Sequence, residues 1–298
     1  MFNIISKIKY AYIFSGTLTI LSLIFLLVWG LKFDIDFTGG TRMQIQMANN
    51  LPSNQEVTDT LQDLNLKSLI VQPSANNQVL IRYASEDDKV NQQAFSEISA
   101  KYPGAVQLRV DYTNASVSQE LKTNSLWAIF YAVVGIMIYV AWAFRKVSRP
   151  VESWKYGAGA VIALIHDVLI TTGVFSFLGH FYGVEVGVPF IAALLTILGF
   201  SVHDTIVVYD RTRENLLKNS GKDKFPEVVN RSLNETLVRS INTSLTVIIT
   251  LLAIYIFGGE SIKYFALALL VGVTFGTYSS IFIASAMLVT IYNRQSKK

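Results

Sequence analysis

The sequence predicts a polytopic α-helical membrane protein with six transmembrane helices and an extracytoplasmic α+β domain between helices 1 and 2. Three observations support this fold class. Of the 298 residues, 51% are hydrophobic and only 15% are charged. The apolar residues lie in long blocks, each near the roughly 20 residues that cross a hydrocarbon core of about 30 Å. A polar segment between the first two blocks alternates between strand and helix patterns.

Six apolar blocks are long enough to span a membrane, which predicts both termini on the same side. The first block follows Lys7 and Lys9, so a cleaved signal peptide is the alternative to a membrane anchor. Its 21 uncharged residues from Ala11 are too many for a signal core and favour an uncleaved anchor. The predicted spans are residues 11–31, 123–144, 157–179, 186–208, 240–258 and 264–292.

The basic residues of the connections predict the orientation. Residues 145–156 contain four Lys or Arg, whereas residues 180–187 contain none. Because Lys and Arg accumulate on the cytoplasmic side, we expect both termini in the cytoplasm. The predicted domains are residues 1–31 with the first span, an extracytoplasmic domain at 32–122, spans two to six at 123–292 with a cytoplasmic loop at 209–239, and a cytoplasmic tail at 293–298.

The segment 32–122 carries the signals of a β-α-β-β-α-β order, which is that of the ferredoxin-like fold, although two such units can also be halves of a larger sheet. It contains no His, no Cys and no catalytic triad, so we interpret it as a binding or mechanical module. The individual signals are the alternating RMQIQMA at 42–48, a capping box from Ser53 to Glu56 before a helix ending near Leu64, the strands 67–72 and 78–83 around Asn76-Asn77, a helix from Ser85 to about Lys101, and the strand AVQLRVDY.

Composition excludes several function classes. The chain has no cysteine, which excludes disulfides and thiolate metal sites. The net charge of +4 is spread over the predicted cytoplasmic rims, so anionic lipid explains it better than nucleic acid. No GxxxxGK[ST] sequence occurs, and any work must therefore draw on a partner ATPase or an ion gradient.

The few ionisable residues inside the spans are the candidate functional residues. Burying a charged residue in the bilayer costs about 2.5–3.5 kcal/mol on insertion scales, so such residues usually face protein or a water path. Asp204 falls in the cytoplasmic third of span four, at a depth within reach of Arg239 if spans four and five pack together. The candidate proton-coupling residues are Asp204, Arg239, Asp167, His203 and His166.

A buried Asp can either bind a proton or pair with a cation, and one that alternates between the two is a proton-driven switch. We expect Asp204 and Arg239 to form such a pair. The alternative is a static polar cluster in which the Asp and His side chains only join helices, with Arg239 extending towards the lipid surface.

Two further patterns concern packing. The Gly272-x-x-x-Gly276 sequence in span six permits close helix contacts. An apolar stripe in the loop 209–239 predicts an amphipathic helix on the inner membrane face. The stripe consists of Val228, Val229, Leu233 and Leu237.

Several stretches, in this order and with six spans, resemble the SecD/SecF family of bacterial protein-export membrane subunits, and the resemblance is to its SecF-type members. The resemblance covers nearly the whole chain. The stretches are FDIDFTGGT (33–41), IHDVLITTG (165–173), GFSVHDTIVVYDRTREN (199–215), RSLNETLVRSINTS (231–244) and FGG (257–259).

The resemblance implies a six-span subunit that joins SecD in an assembly related to resistance-nodulation-division transporters. It further implies association with the SecYEG channel in the bacterial cytoplasmic (inner) membrane and use of the proton-motive force in late export of an unfolded preprotein. The family's proton-coupling aspartate and functional arginine fall on Asp204 and Arg239. No cofactor, nucleic-acid partner or covalent chemistry is implied, and sodium is the alternative coupling ion.

The chain departs from the family pattern at two places. His203 stands where Asn is expected, and residues 110–121 lack the usual Gly-Pro stretch. Two rival functions stay open: half of a proton-coupled small-molecule or lipid exporter, for which the external domain is small, and a purely structural scaffold for SecD.

Overall fold

The computed structural model describes residues 2–48, 51–74, 76–144, 151–218 and 223–295. The basic residues Arg145, Lys146 and Arg149, which contribute to the predicted orientation, lie outside this part, as do Lys297 and Lys298. The chain forms two compact units, which we call the helix unit and the sheet unit. The helix unit is Met1–Leu31, Leu126–Val184 and Pro189–Lys298, and the sheet unit is Lys32–Ser125 and Glu185–Val188.

Long apolar helices make up the helix unit and confirm the prediction of six candidate membrane spans. The first five are α1 (Ile8–Val28), α5 (Ala115–Ala143), α6 (Ser153–Tyr182), α7 (Val188–Lys218) and α8 (Phe225–Phe257).

The sixth span changes its helical geometry midway. It consists of α9 (Glu260–Ser279), a π-helical turn (Ser280–Ala284) and α10 (Ser285–Gln295). π-Helical turns are rare and occur often at functional sites, because they displace the side chains that follow them.

The predicted cytoplasmic loop is much shorter in the structure. Helix α7 continues to Lys218 and α8 begins at Phe225 with Pro226 in its first turn, where Pro is favoured. The predicted amphipathic helix is present as the first turns of α8, which carry its apolar stripe and continue into span five. Val229 and Leu233 are buried in the core of the helix unit.

The sheet unit contains a four-stranded antiparallel sheet in the order β2-β3-β1-β4. Two helices, α3 (Asn54–Thr60) and α4 (Asp88–Lys101), connect the strands, so the elements follow the order β-α-β-β-α-β. A short helical turn, α2 (Ile35–Thr38), precedes the sheet. The strands are β1 (Gly40–Gln46), β2 (Ile70–Ser74), β3 (Gln78–Tyr83) and β4 (Val106–Thr113).

Successive side chains of a strand point to opposite faces of the sheet, and the side chains on one face form the core of the sheet unit. Met43, Ile45 and Ile81 lie on this face, towards the helices, and are fully buried. The predicted capping box is confirmed: Ser53 Oγ accepts from the Glu56 N–H, and Glu56 accepts from the Ser53 N–H. The predicted start of α4 is displaced. Its N-cap is Asp87, because the Asp87 side chain accepts from Lys89 N, whereas Ser85 only bonds to the Asp87 N–H.

Glycines set the close packing within the helix unit. A Cβ atom on Gly272 would lie 2.2 Å from Ile197 Cδ1, and one on Gly276 would lie 3.0 Å from Ser201 Cβ. The predicted close contact by these two glycines is therefore confirmed, and its partner is α7. This approach brings the hydroxyl groups of α9 next to those of α7.

Candidate intramembrane polar site

Asp167 on α6 is the most enclosed charged residue among those described, with no exposed surface. Its Oδ1 atom lies 2.9 Å from His166 Nδ1. Its Oδ2 atom accepts hydrogen bonds from Ser201 on α7 at 2.6 Å and from Ser279 on α9 at 2.7 Å. One carboxylate therefore joins three helices.

Asp204 on α7 lies about one helical turn after Ser201. Its side chain is buried, with 7% of the residue exposed, and its Oδ1 atom accepts from Ser240 on α8 at 2.6 Å. Its Oδ2 atom is buried without a hydrogen-bond partner in the described part of the chain. Half of the hydrogen-bonding capacity of this carboxylate is thus free for a proton or a donor.

Small hydroxyl residues connect the helices around the two carboxylates. Ser280 Oγ lies 2.9 Å from Thr205 Oγ1 and donates to the Ser201 carbonyl at 3.2 Å. Ser244 Oγ donates to the Ser240 carbonyl at 2.8 Å and lies 2.5 Å from Thr277 Oγ1. Short hydroxyls suit such a site because they satisfy buried polar groups while letting helices approach closely.

The π-helical turn lies beside this site. Ser285 Oγ donates to the carbonyl of Ser280, five residues earlier, at 3.1 Å. Tyr209 on α7 donates to the Ala284 carbonyl at 3.1 Å, which satisfies a backbone acceptor in the turn. The altered geometry of span six is therefore stabilised by side chains from α7 and from the span itself.

Arg239 occupies a different place from the predicted one. No ion pair joins it to Asp204 among the residues that the structure describes; its neighbour Ser240 makes the contact instead. Arg239 is exposed at the surface of α8, whereas Ser240 is buried. The physical reason is the helical period, because adjacent residues point about 100° apart.

The structure brings together three of the five candidate residues. His166 and Asp167 contact each other directly. Asp204 is connected to them through α7, because Ser201, which donates to Asp167, lies one helical turn before Asp204. His203 is exposed on α7, and the described hydrogen bond to Asp204 comes from Ser240.

Sequence reasoning missed the donors Ser201, Ser240 and Ser279. The available signal was a hydroxyl residue placed one turn from an intramembrane Asp, as Ser201 is from Asp204. Within the described ranges, no group of three His, Asp or Glu side chains is arranged to hold a metal ion.

Comparison with known proteins gives a consistent result. Residues 94–294 match the family described as protein export membrane protein SecD/SecF, C-terminal. The chain is 43% identical over 299 residues to the protein translocase subunit SecF of Thermobaculum terrenum, covering 96% of this chain and 93% of that protein. It is 36% identical to the protein translocase subunit SecF of Haemophilus influenzae, with 94% and 82% covered.

Solved structures show the same similarity. The crystal structure of SecDF from Thermus thermophilus, described as a translocon-associated membrane protein, matches with a TM-score of 0.86 and 33% identity. The match covers 98% of this chain and only 39% of the SecDF chain. A second structure, of SecDF in the super-membrane-facing form, matches with a TM-score of 0.70 and 32% identity.

Proposed function

Because the chain belongs to the SecD/SecF family of protein export membrane proteins, we propose that it is a SecF-type subunit of the bacterial Sec translocase and uses the proton-motive force to promote late steps of preprotein export. One observation carries the proposed coupling. Asp204 is buried between two spans, with one carboxylate oxygen bonded to Ser240 and the other without a hydrogen-bond partner among the described residues.

The surroundings of Asp204 suit a group that changes its charge. An ionised carboxylate there has a single neutral donor, which compensates poorly for the lost hydration. Proton binding removes the charge, and pairing with Arg239 would compensate for it. A rotation of α8 by about 100°, or a smaller rotation with a swing of the long side chain, exchanges Ser240 for Arg239. Protonation thus selects between two packings of α7 and α8.

The polar residues near Asp204 contribute to the proposed proton path and to the electrostatic environment of Asp204. Asp167 is bonded to Ser201, one turn from Asp204, and its partner His166 has a buried Nε2 atom with no hydrogen-bond partner within the described ranges. We assign His166 and Asp167 to the path of the proton and His203 to the electrostatic environment of Asp204. The membrane potential supplies about 2.3 kcal/mol per charge per 100 mV, enough to bias the two packings. The mechanism needs no cofactor, and sodium is the alternative ion.

We assign the sheet unit to the extracytoplasmic side as a ferredoxin-like domain between the first two spans, and both termini to the cytoplasm. The order β-α-β-β-α-β and the sheet order β2-β3-β1-β4 support the fold. The difference in Lys and Arg content between residues 145–156 and 180–187 supports the orientation. The proposed location is the bacterial cytoplasmic (inner) membrane.

SecD is the proposed direct partner. This chain matches 39% of the SecDF chain, and the name of that protein supports SecD as the partner. The description of SecDF as translocon-associated supports a further association with the SecYEG channel and an unfolded preprotein as cargo. The proposed role is transport without covalent chemistry.

A structural scaffold for SecD is the second candidate, and the fully bonded Asp167 favours it. Two of the three described contacts of that carboxylate, from Ser201 and Ser279, link α6 to α7 and α9. In the proton-coupled subunit the Asp204 carboxyl changes its charge during export, whereas in the scaffold it only joins helices. Substitution of Asp204 therefore distinguishes the two functions.

The test compares Asp204→Asn with Asp210→Asn in a complex with SecD and SecYEG in inverted membrane vesicles. Asp210 is an exposed residue of the same helix, paired with Arg213 at 3.3 Å. We expect Asp204→Asn to assemble normally and to lose at least about tenfold of the gradient-dependent export rate, with Asp210→Asn near wild type. Normal export by Asp204→Asn would support the scaffold, and imposing a proton or a sodium gradient separately identifies the ion.

A further inference from the structure

The four residues Glu185–Val188, which we call the docking segment, connect α6 to α7 in sequence but belong to the sheet unit by their contacts. The backbone of the segment pairs with the chain that precedes β1. Val186 N donates to the Lys32 carbonyl at 2.8 Å, and Asp34 N donates to the Val186 carbonyl at 3.0 Å. Phe33 and Val186 form a parallel β-bridge, and Val186 is only 1% exposed.

Buried charges hold the first residue of the docking segment. Glu185 forms an ion pair with Arg82 on β3, and both side chains are about nine-tenths buried. Arg82 also lies 3.6 Å from Asp34, which pairs with Arg42 on β1 at 2.6 Å. The docking segment therefore joins an ion network that extends across the sheet. Buried pairs of this kind are costly to break, because the remaining partner keeps an uncompensated charge.

The end of the docking segment is held by Asp36. The Asp36 carboxylate accepts from Val188 N, the first residue of α7, at 3.0 Å. A Cβ atom on Gly187 would lie 2.8 Å from Asp36 Oδ2, so the close approach needs glycine at this position. Asp34 and Asp36, which the FDIDFTGGT stretch supplies, thus bind successive parts of the same four residues.

We propose that the docking segment is the mechanical link through which rearrangement of α6 and α7 reaches the sheet unit. This proposal rests on the proposed proton-coupled function. Asp167 lies on α6 and Asp204 lies on α7, and the docking segment is covalently continuous with both helices. A segment held by backbone pairing, buried ions and a helix N-terminal N–H stays attached while the helices move, and it passes their movement on.

The first experiment tests whether the docking segment is held, independently of proton coupling. The chain has no cysteine, so single cysteines can be introduced cleanly. Val186→Cys and the matched exposed control Val188→Cys are treated with a membrane-impermeant maleimide in the assembled complex. We expect at least tenfold slower labelling at position 186. Adding Arg82→Gln should raise the labelling at 186 towards that of the control, and equal labelling of the two single variants would overturn the proposal.

The second experiment tests transmission. Asp36→Ala removes the acceptor of the Val188 N–H, and Arg82→Gln removes the buried cation that faces Glu185, so the double variant should release the docking segment and expose Val186→Cys to labelling. We expect it to assemble with SecD, to retain Asp204-dependent proton uptake, and to lose at least about fivefold of gradient-driven export. Arg109→Gln, which removes an exposed charge from β4, is the control and should export normally.

The outcomes separate this proposal from the proposed function. Lost export with retained proton uptake supports the link. Normal export by a double variant whose segment is shown to be released by labelling overturns the link while leaving proton coupling intact. Absence of proton uptake in the wild-type complex contradicts the proposed function instead, and the labelling result still decides whether the segment is docked.

Discussion

Ser240 on α8 donates a hydrogen bond to Asp204 on α7 across 2.6 Å. The contact joins two spans through a carboxylate whose second oxygen has no hydrogen-bond partner in the part of the chain that the structure describes. The residue just before Ser240 in α8 carries the guanidinium that the sequence predicted for this position. The structure therefore shows the packing in which Ser240, and not Arg239, contacts Asp204.

We expect substitution of Ser240 to lower stability and substitution of Arg239 to lower export. Ser240→Ala leaves a buried acceptor without its donor, and we expect a loss of about 1–3 kcal/mol in unfolding free energy. Arg239→Ala removes an exposed side chain, so stability should change by less than about 0.5 kcal/mol, whereas gradient-dependent export is lost. Thermal unfolding in detergent and vesicle export assays measure the two quantities. A large stability loss in Arg239→Ala would show that its role is structural.

Gly173 sets the distance between α1 and α6. A Cβ atom there would lie 2.3 Å from Ser22 Cβ and 2.6 Å from Ser22 Cα, so backbone must move to accommodate it. We expect Gly173→Ala to destabilise the protein by about 1–3 kcal/mol. Gly135→Ala in α5 is the matched control, because no described atom outside its own stretch of helix lies within 4 Å of its Cβ position. The control should be neutral or gain up to about 1 kcal/mol in helix propensity, and equal loss in both variants would refute the packing argument.

Glu185 should make the docking segment sensitive to pH. Burial raises the pKa of Glu185 from 4.5 to about 7, against the opposing effect of Arg82. Because the docked state binds the proton more tightly, docking is strongest below about pH 4.5 and weakens as pH rises towards 7, by up to about tenfold per unit. The other charged groups acting on Glu185 are Asp34, Lys32 and Arg42.

The labelling ratio of Val186→Cys to Val188→Cys, measured between pH 5 and 8, reports this dependence and cancels the intrinsic pH dependence of the thiol. Glu185→Gln should make the ratio nearly independent of pH, since it lacks the titrating carboxyl. A wild-type ratio that stays constant across this range would contradict the prediction.

Local signals in the sequence determined much of the architecture. The six spans follow from apolar length, which is a property of each block alone. The Ser53–Glu56 capping box and the Asn76-Asn77 turn are equally local, and both asparagines have the positive φ that this residue type tolerates. The displaced cap at Asp87 and the extended α8 show where neighbouring signals compete, because a helix boundary depends on a few tenths of a kcal/mol between adjacent residues.

Tertiary structure alone decided which side chains meet. The sequence by itself placed Asp204 and Arg239 at comparable depths, but depth does not fix the rotation of a helix about its axis. A difference of one residue turns a side chain by about 100°, and that rotation put Ser240 on Asp204 and left Arg239 exposed. The docking of Glu185–Val188 onto Lys32, Asp34 and Arg82 was equally out of reach, because it joins residues about 100 to 150 positions apart through contacts that no local periodicity encodes.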